Sequence, residues 1–123
     1  MPFSKEEGEK IIKEKNRVLD EYILNQDAKG VSTLYHPKAV LLHDGEEHPI
    51  TSKKPYEGYL TVKVPFKDYI TYTASTDDGK YLVMHGEFTL DGVPGKIEYE
   101  QTYQLQDDGD YLIYYQRRGV LKQ

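Results

Sequence analysis

The sequence predicts an α+β fold: a long N-terminal helix and a short second helix packed on a strongly curved antiparallel sheet of about six strands. Three observations predict it. Apolar residues recur at helical spacing near the N-terminus and at period two over most of the remainder. Four Asp-Gly pairs, Asp44–Gly45, Asp78–Gly79, Asp91–Gly92 and Asp108–Gly109, separate the period-two runs, and Asp-Gly between apolar runs marks a tight hairpin. The length of 123 residues is that of one domain, read as spanning 1–123.

Each element follows from local chemistry. Ser4 with Glu7 has the form of a capping box, in which the hydroxyl and the carboxylate satisfy the first free N–H groups of a helix. Ile11, Ile12, Val18, Leu19, Tyr22 and Ile23 then share one helical face, so a helix is expected over about 5–25. Asp27 is placed to cap a short second helix carrying Val31, Leu34 and Tyr35, which Pro37 ends. Strands are expected at about 39–43, 46–51, 67–76, 80–90, 96–106 and 110–119. Because each hairpin joins sequence neighbours, the long sheet reads as an antiparallel meander. Pro55, Gly58 and Pro65 interrupt the stretch from Ser52 to Phe66, where a short helix or loop is expected.

Alternation assigns faces. Ile97, Tyr99, Gln101, Tyr103 and Leu105 share one face, as do Leu82, Met84, Phe88 and Leu90, while Ile70, Tyr72 and Ala74 form the apolar set of their strand. Arg117 falls on the face of Tyr115 and Ile113. The final strand is apolar on both faces from Tyr111 to Tyr115, and such a strand needs two covers. The helix supplies one; a second subunit, giving a homodimer through the outer face of the sheet, is the simplest second.

Composition excludes several functions. Without cysteine there is no disulfide, thiolate zinc site or cysteine nucleophile. The N-terminus lacks the apolar run of a signal peptide, and no stretch approaches the roughly 20 apolar residues needed to span a bilayer, so a cytoplasmic location is expected. A net charge of −5 argues against nucleic acid and anionic membrane as partners. The histidines lack metal-ligand spacing, and neither a Gly-rich phosphate loop nor a nucleophile elbow is present, so neither metal nor cofactor is expected. Twelve tyrosines and no tryptophan are distinctive, because tyrosine joins an apolar ring to a polar tip and suits half-buried sheets and pockets.

The order of elements, with Asp27, Leu34–Tyr35 and Ala39–Val40 leading into the first strand and Gly109–Asp110–Tyr111 opening the last, resembles the nuclear-transport-factor-2-like superfamily. That superfamily includes SnoaL-like cyclases, ketosteroid isomerases, scytalone dehydratase and kinase association domains. The resemblance implies a cone-shaped α+β fold: a bent sheet wraps the long helix and leaves a pocket at its wide end, and the outer sheet face often forms a dimer. It also implies that His43 falls where the ketosteroid isomerases place a catalytic aspartate.

Three functions follow as expectations. The first is binding of a small apolar molecule among Tyr22, Tyr72, Tyr99, Tyr103 and Tyr115, with Gln101 as polar handle and Arg117 either as an anchor for a ligand carboxylate or as a rim or dimer-interface charge. Tyr22 also reads as a core tyrosine with its hydroxyl at the edge. Gln101 is either satisfied by neighbouring tyrosine hydroxyls or directed into a pocket, because a polar group on an apolar face needs hydrogen-bond partners. The second is an oligomerisation or adaptor domain. The third is an isomerase or dehydratase with His43 as general base, a role that a neutral imidazole can fill near neutral pH.

Overall fold

The computed structural model describes residues 3–43, 46–49, 66–92 and 94–119, with the backbone alone at Ala28, His43 and residues 46–49. The expectation for Ser52–Phe66 lies outside the described residues except at Phe66, which opens a strand. Helix α1 spans Lys5–Leu24 and α2 spans Ala28–Thr33. The strands are β1 Tyr35–His43, β2 Glu46–Pro49, β3 Phe66–Ser75, β4 Tyr81–Leu90, β5 Ile97–Leu105 and β6 Tyr111–Arg118.

Local signals set the helix ends. The Ser4 hydroxyl accepts from the Glu7 N–H at 3.1 Å and begins α1. The Asp27 carboxylate accepts from the Gly30 N–H at 2.9 Å and begins α2. Gly79, in the β3–β4 turn, has φ of +71°, a conformation that Asp-Gly turns provide at little cost.

The six strands form one sheet in the order β2-β1-β6-β5-β4-β3. From β3 to β6 it is the expected antiparallel meander. The last strand is not an edge: β6 lies between β5 and β1 and pairs with β1 in parallel. Its apolar composition on both faces is therefore partly explained by a central position. Tyr114, for example, meets the ring of His36 edge-on at 5.1 Å.

Helix α1 packs on one face of the sheet, against β3 and β4. Ile12, Leu19 and Ile23 from the helix bury against Leu82 and Met84 from β4, Tyr103 from β5, and Tyr111 and Ile113 from β6. Val31, Leu34, Tyr35, Ala39 and Leu41 close the core at the α2–β1 end. Lys15 on α1 reaches Asp110 at 2.6 Å and ties the helix to the β5–β6 turn.

Two bulges reset which side chains face the helix. In β3 the register slips between Ile70, opposite Gly86, and Tyr72, opposite His85, leaving Thr71 as the extra residue. A bulge of this kind exchanges the faces of the residues beyond it. Phe66, Asp68 and Ile70 therefore face the core, and so does Thr73, whereas Tyr72 is turned outward and is 52% exposed. The expected set of Ile70, Tyr72 and Ala74 is thus split. In β6 the extra residue is Tyr114, between Ile113 opposite Tyr103 and Tyr115 opposite Thr102. Ile113 and Gln116 face inward, Tyr115 and Arg117 outward, and Arg118 takes an inward position opposite Tyr99. The expectation that Arg117 and Tyr115 share the face of Ile113 is corrected by this one residue.

Deleting Thr71 should cost several kcal/mol in chemical denaturation, because either Phe66, Asp68 and Ile70 or Thr73 and Ser75 must then change faces. Thr71→Ala, which keeps the residue count, should stay within about 0.5 kcal/mol of the parent.

Candidate ligand pocket

A pocket opens between α1 and the concave face of the sheet. Its walls are Leu19 and Ile23 from the helix, Phe66 from β3, Phe88 and Leu90 from β4, and Tyr99 from β5. Asp20, Asp68, Gln101 and Arg118 supply its polar groups. It is an open cleft of about 460 Å³ when the solvent space at its mouth is included.

The polar groups form two connected sets. In the first, Asp68 is the acceptor. The Tyr99 hydroxyl donates to its Oδ1 at 2.5 Å, and the Asn16 amide donates to its Oδ2 at 3.2 Å. Asp20, one helical turn beyond Asn16, also hydrogen-bonds Asp68. Two carboxyl groups this close in an apolar wall cannot both ionise cheaply. Burial, the charge of Asp68 and the hydrogen bond to it push Asp20 up to about 8, so Asp20 keeps its proton at neutral pH. Burial and the Asp68 charge likewise hold the Tyr99 hydroxyl protonated well above the ordinary phenol range.

Tyr99 reaches Asp68 because position 86 has no side chain. Tyr99 on β5 lies opposite Gly86 on β4, and its ring crosses that strand toward β3. A methyl group at position 86 would stand 2.7 Å from both Tyr99 Cζ and its hydroxyl oxygen. Glycine in a strand interior often marks such a close approach.

The second set lies beneath the pocket. Gln116 Oε1 accepts from the Tyr35 hydroxyl and, at 2.8 Å, from Gln101 Nε2. Gln101 Oε1 accepts from the Tyr103 hydroxyl at 3.0 Å. Gln101 is 1% exposed and still contributes to the pocket lining, so both readings of this residue describe its position. Buried amides of this kind are fixed by their partners.

The residues singled out in the sequence separate accordingly. Tyr99 and Gln101 line the pocket, and Tyr103 lies directly behind Gln101. Tyr22 packs half-buried against the core, close enough to Gly30 that a methyl group there would fall 2.5 Å from its ring. Tyr72 stands on the outer face beside His85, ring centroids 5.1 Å apart. Arg117, also outward, pairs with Glu100 at 3.0 Å, and Glu100 meets His85 at 3.1 Å. Arg118 is the arginine at the pocket, and it is already engaged by a neighbour. His43 ends β1 at the register position of Arg118, and its side chain lies outside the described residues.

Asp20, Asp68, Asn16 and Arg118 escaped sequence reasoning. Three of them carried a signal. Asn16 and Asp20 follow Ile12 at steps of four, on the apolar face of the helix, and Asp68 alternates with Phe66 and Ile70. A polar residue in an apolar stripe is a candidate for a buried network. Among the described residues, no group of three or more His, Asp or Glu is arranged to hold a metal ion, and no helix is long and apolar enough to cross a membrane.

By sequence, the chain matches no family model and no curated protein. By structure it is similar to many solved proteins. A nuclear-transport-factor-2-like protein of unknown function from Shewanella baltica superposes with a TM-score of 0.78 at 12% identity, covering 98% of this chain and 99% of that one. A second protein so described, from Shewanella oneidensis, gives 0.72 at 12% identity over 90% and 98% of the two chains. A cystatin-like fold protein from Burkholderia xenovorans gives 0.67 at 17% identity over 91% and 90%. The chain has the nuclear-transport-factor-2-like fold, a cystatin-like arrangement of helix and curled sheet.

Two measurements probe the carboxyl pair. The unfolded chain releases the Asp20 proton near pH 4 and the folded chain near pH 8. This contribution is therefore fully present below pH 4 and is lost as pH rises to about 8. Asp20→Asn should match the parent near pH 4 and exceed its stability by roughly 1–3 kcal/mol at pH 8, read from urea denaturation at each pH. Gly86→Ala should cost about 1–3 kcal/mol and move the Tyr99 ring off Asp68, visible as a lowered phenol titration by ultraviolet absorbance.

Proposed function

We propose that this protein binds a small, largely apolar molecule in the pocket between α1 and the sheet. The carrying observation is the wall of Leu19, Ile23, Phe66, Phe88 and Leu90, closed at one side by Tyr99, Gln101 and the Asp20–Asp68 pair. An apolar cleft with a few convergent polar groups is the usual form of a small-molecule site, with the apolar wall supplying affinity and the polar groups orientation. The solved structures it resembles support the fold of this reading and leave the ligand to chemistry.

A second copy of the chain completes the proposal. Tyr69, Tyr72 and Tyr81 are 49%, 52% and 40% exposed, and by register all three stand on the outer face of β3 and β4. This supports a homodimer formed through the outer sheet face, since tyrosine is favoured at interfaces. Tyr72→Glu should then lower the mass seen in sedimentation equilibrium to that of one chain; an unchanged mass would remove this face as the interface. A catalytic reading, isomerase or dehydratase with His43 as base, is supported by the β1–β6 register that sets His43 opposite Arg118.

Cyclohexylmethanol serves as a neutral probe of the pocket. In methyl NMR it should shift Leu19, Ile23 and Leu90 saturably. Leu90→Arg should weaken this binding roughly tenfold or more, because a guanidinium in an apolar wall is costly to desolvate. Shifts confined to other methyl groups would overturn the pocket reading.

A further inference from the structure

We infer that the polar end of the pocket selects an uncharged head group carrying a hydrogen-bond donor beside an acceptor, as in a carboxamide or lactam, over either ionised alternative. This inference rests on the pocket reading above and names the chemical class that the pocket takes.

The argument begins with hydrogen-bond capacity. Gln101 is buried to 1% exposure, lines the pocket, and spends one Nε2 hydrogen on Gln116 and one Oε1 lone pair on Tyr103. An amide nitrogen carries two hydrogens. The second has no acceptor among the described residues, and a buried donor left unmade is expensive. A ligand acceptor such as a carbonyl oxygen would satisfy it.

The groups beside Gln101, Tyr99 on the same face of β5 and the Asp20–Asp68 pair that it reaches, offer acceptors. Tyr99 has committed its single hydrogen to Asp68, which leaves its oxygen lone pairs. Asp20 also lines the pocket, and as a protonated carboxyl it still carries a carbonyl oxygen that accepts. The described residues place no donor against that oxygen, so a ligand N–H is its complement. A donor and acceptors side by side match the carbonyl and N–H of an amide.

Charge then decides between amide and ion. The pocket holds one carboxylate, Asp68, one protonated carboxyl, Asp20, and one guanidinium, Arg118, which is already engaged. A carboxylate head would bring a further negative charge beside Asp68. Either ion would also give up its hydration in an apolar cleft.

The test compares four probes on one cyclohexane body at pH 7 by isothermal titration calorimetry: cyclohexanecarboxamide, cyclohexanecarboxylate, cyclohexylmethylamine and cyclohexylmethanol. The carboxamide should bind about tenfold more tightly than either ion and several-fold more tightly than the alcohol. Asp20→Asn retains a carbonyl oxygen for the ligand and a donor for Asp68, so it should keep this order. Asp20→Leu removes that oxygen and should bring carboxamide and alcohol to within about twofold of each other. If the alcohol binds and an ion equals or exceeds the carboxamide, the inference falls while the pocket reading stands. Persistence of the carboxamide preference in Asp20→Leu overturns it equally. If none of the four binds, the pocket reading itself falls and the inference with it.

Discussion

Helix α1 lies against one face of a single sheet, and every polar group sharing that face must find its partner there. This constraint organises the molecule. Water is excluded where Ile12, Leu19 and Ile23 meet Leu82, Met84 and Ile113. Polar side chains among them are held in networks: Gln101, Gln116, Tyr35 and Tyr103 under the pocket, and Asn16, Asp20, Asp68 and Tyr99 along its wall. A buried polar group without partners would cost more than the packing around it returns. These networks are therefore part of the fold as well as of the site.

The pocket is a local failure of closure in the same layer. Beyond Leu19 and Ile23 the sheet curls away from the helix end, and Phe66, Phe88 and Leu90 line the gap. Its polar wall depends on one missing side chain. Because residue 86 is glycine, Tyr99 can lie across β4 and donate to Asp68 on β3. Tyr99 donates to Asp68, and burial with the Asp68 charge keeps Asp20 protonated. Three strands and the helix thus converge on the state of one proton, and substitution at any of these positions should be felt at the others.

Bulges decide which residues take part. Thr71 turns Tyr72 outward and leaves Asp68 inside; Tyr114 turns Arg117 outward and Arg118 inward. The outer face gains Tyr72, beside the exposed Tyr69 and Tyr81, and Arg117, which pairs with Glu100 next to His85. The inner face gains an arginine at the pocket. A single extra residue in each strand exchanges two functional assignments, because side-chain direction has period two and carries no memory beyond the slip.

By itself the sequence determined the elements and the starts of both helices, but not the end of α2, which stops at Thr33 so that Tyr35 and Pro37 open β1. The hydroxyl of Ser4, the carboxylate of Asp27 and the Asp-Gly turns act within a few residues, so they are legible without the fold. The meander from β3 to β6 follows from the same short-range chemistry. Two of the pocket's lining residues were legible too, since Tyr99 and Gln101 lie beyond no bulge in the β4–β5 pairing and keep the phase that alternation assigns. Only the tertiary structure decided the rest: the parallel pairing of β6 with β1, the outward turn of Tyr72, Tyr115 and Arg117, and the meeting of Asp20 with Asp68. The first joins segments more than 70 residues apart, the second depends on where a strand accommodates one residue too many, and the third brings a helix and a strand together across the core. None of these is encoded in local spacing. Each is set by which arrangement buries the apolar face of α1 while leaving its polar neighbours satisfied.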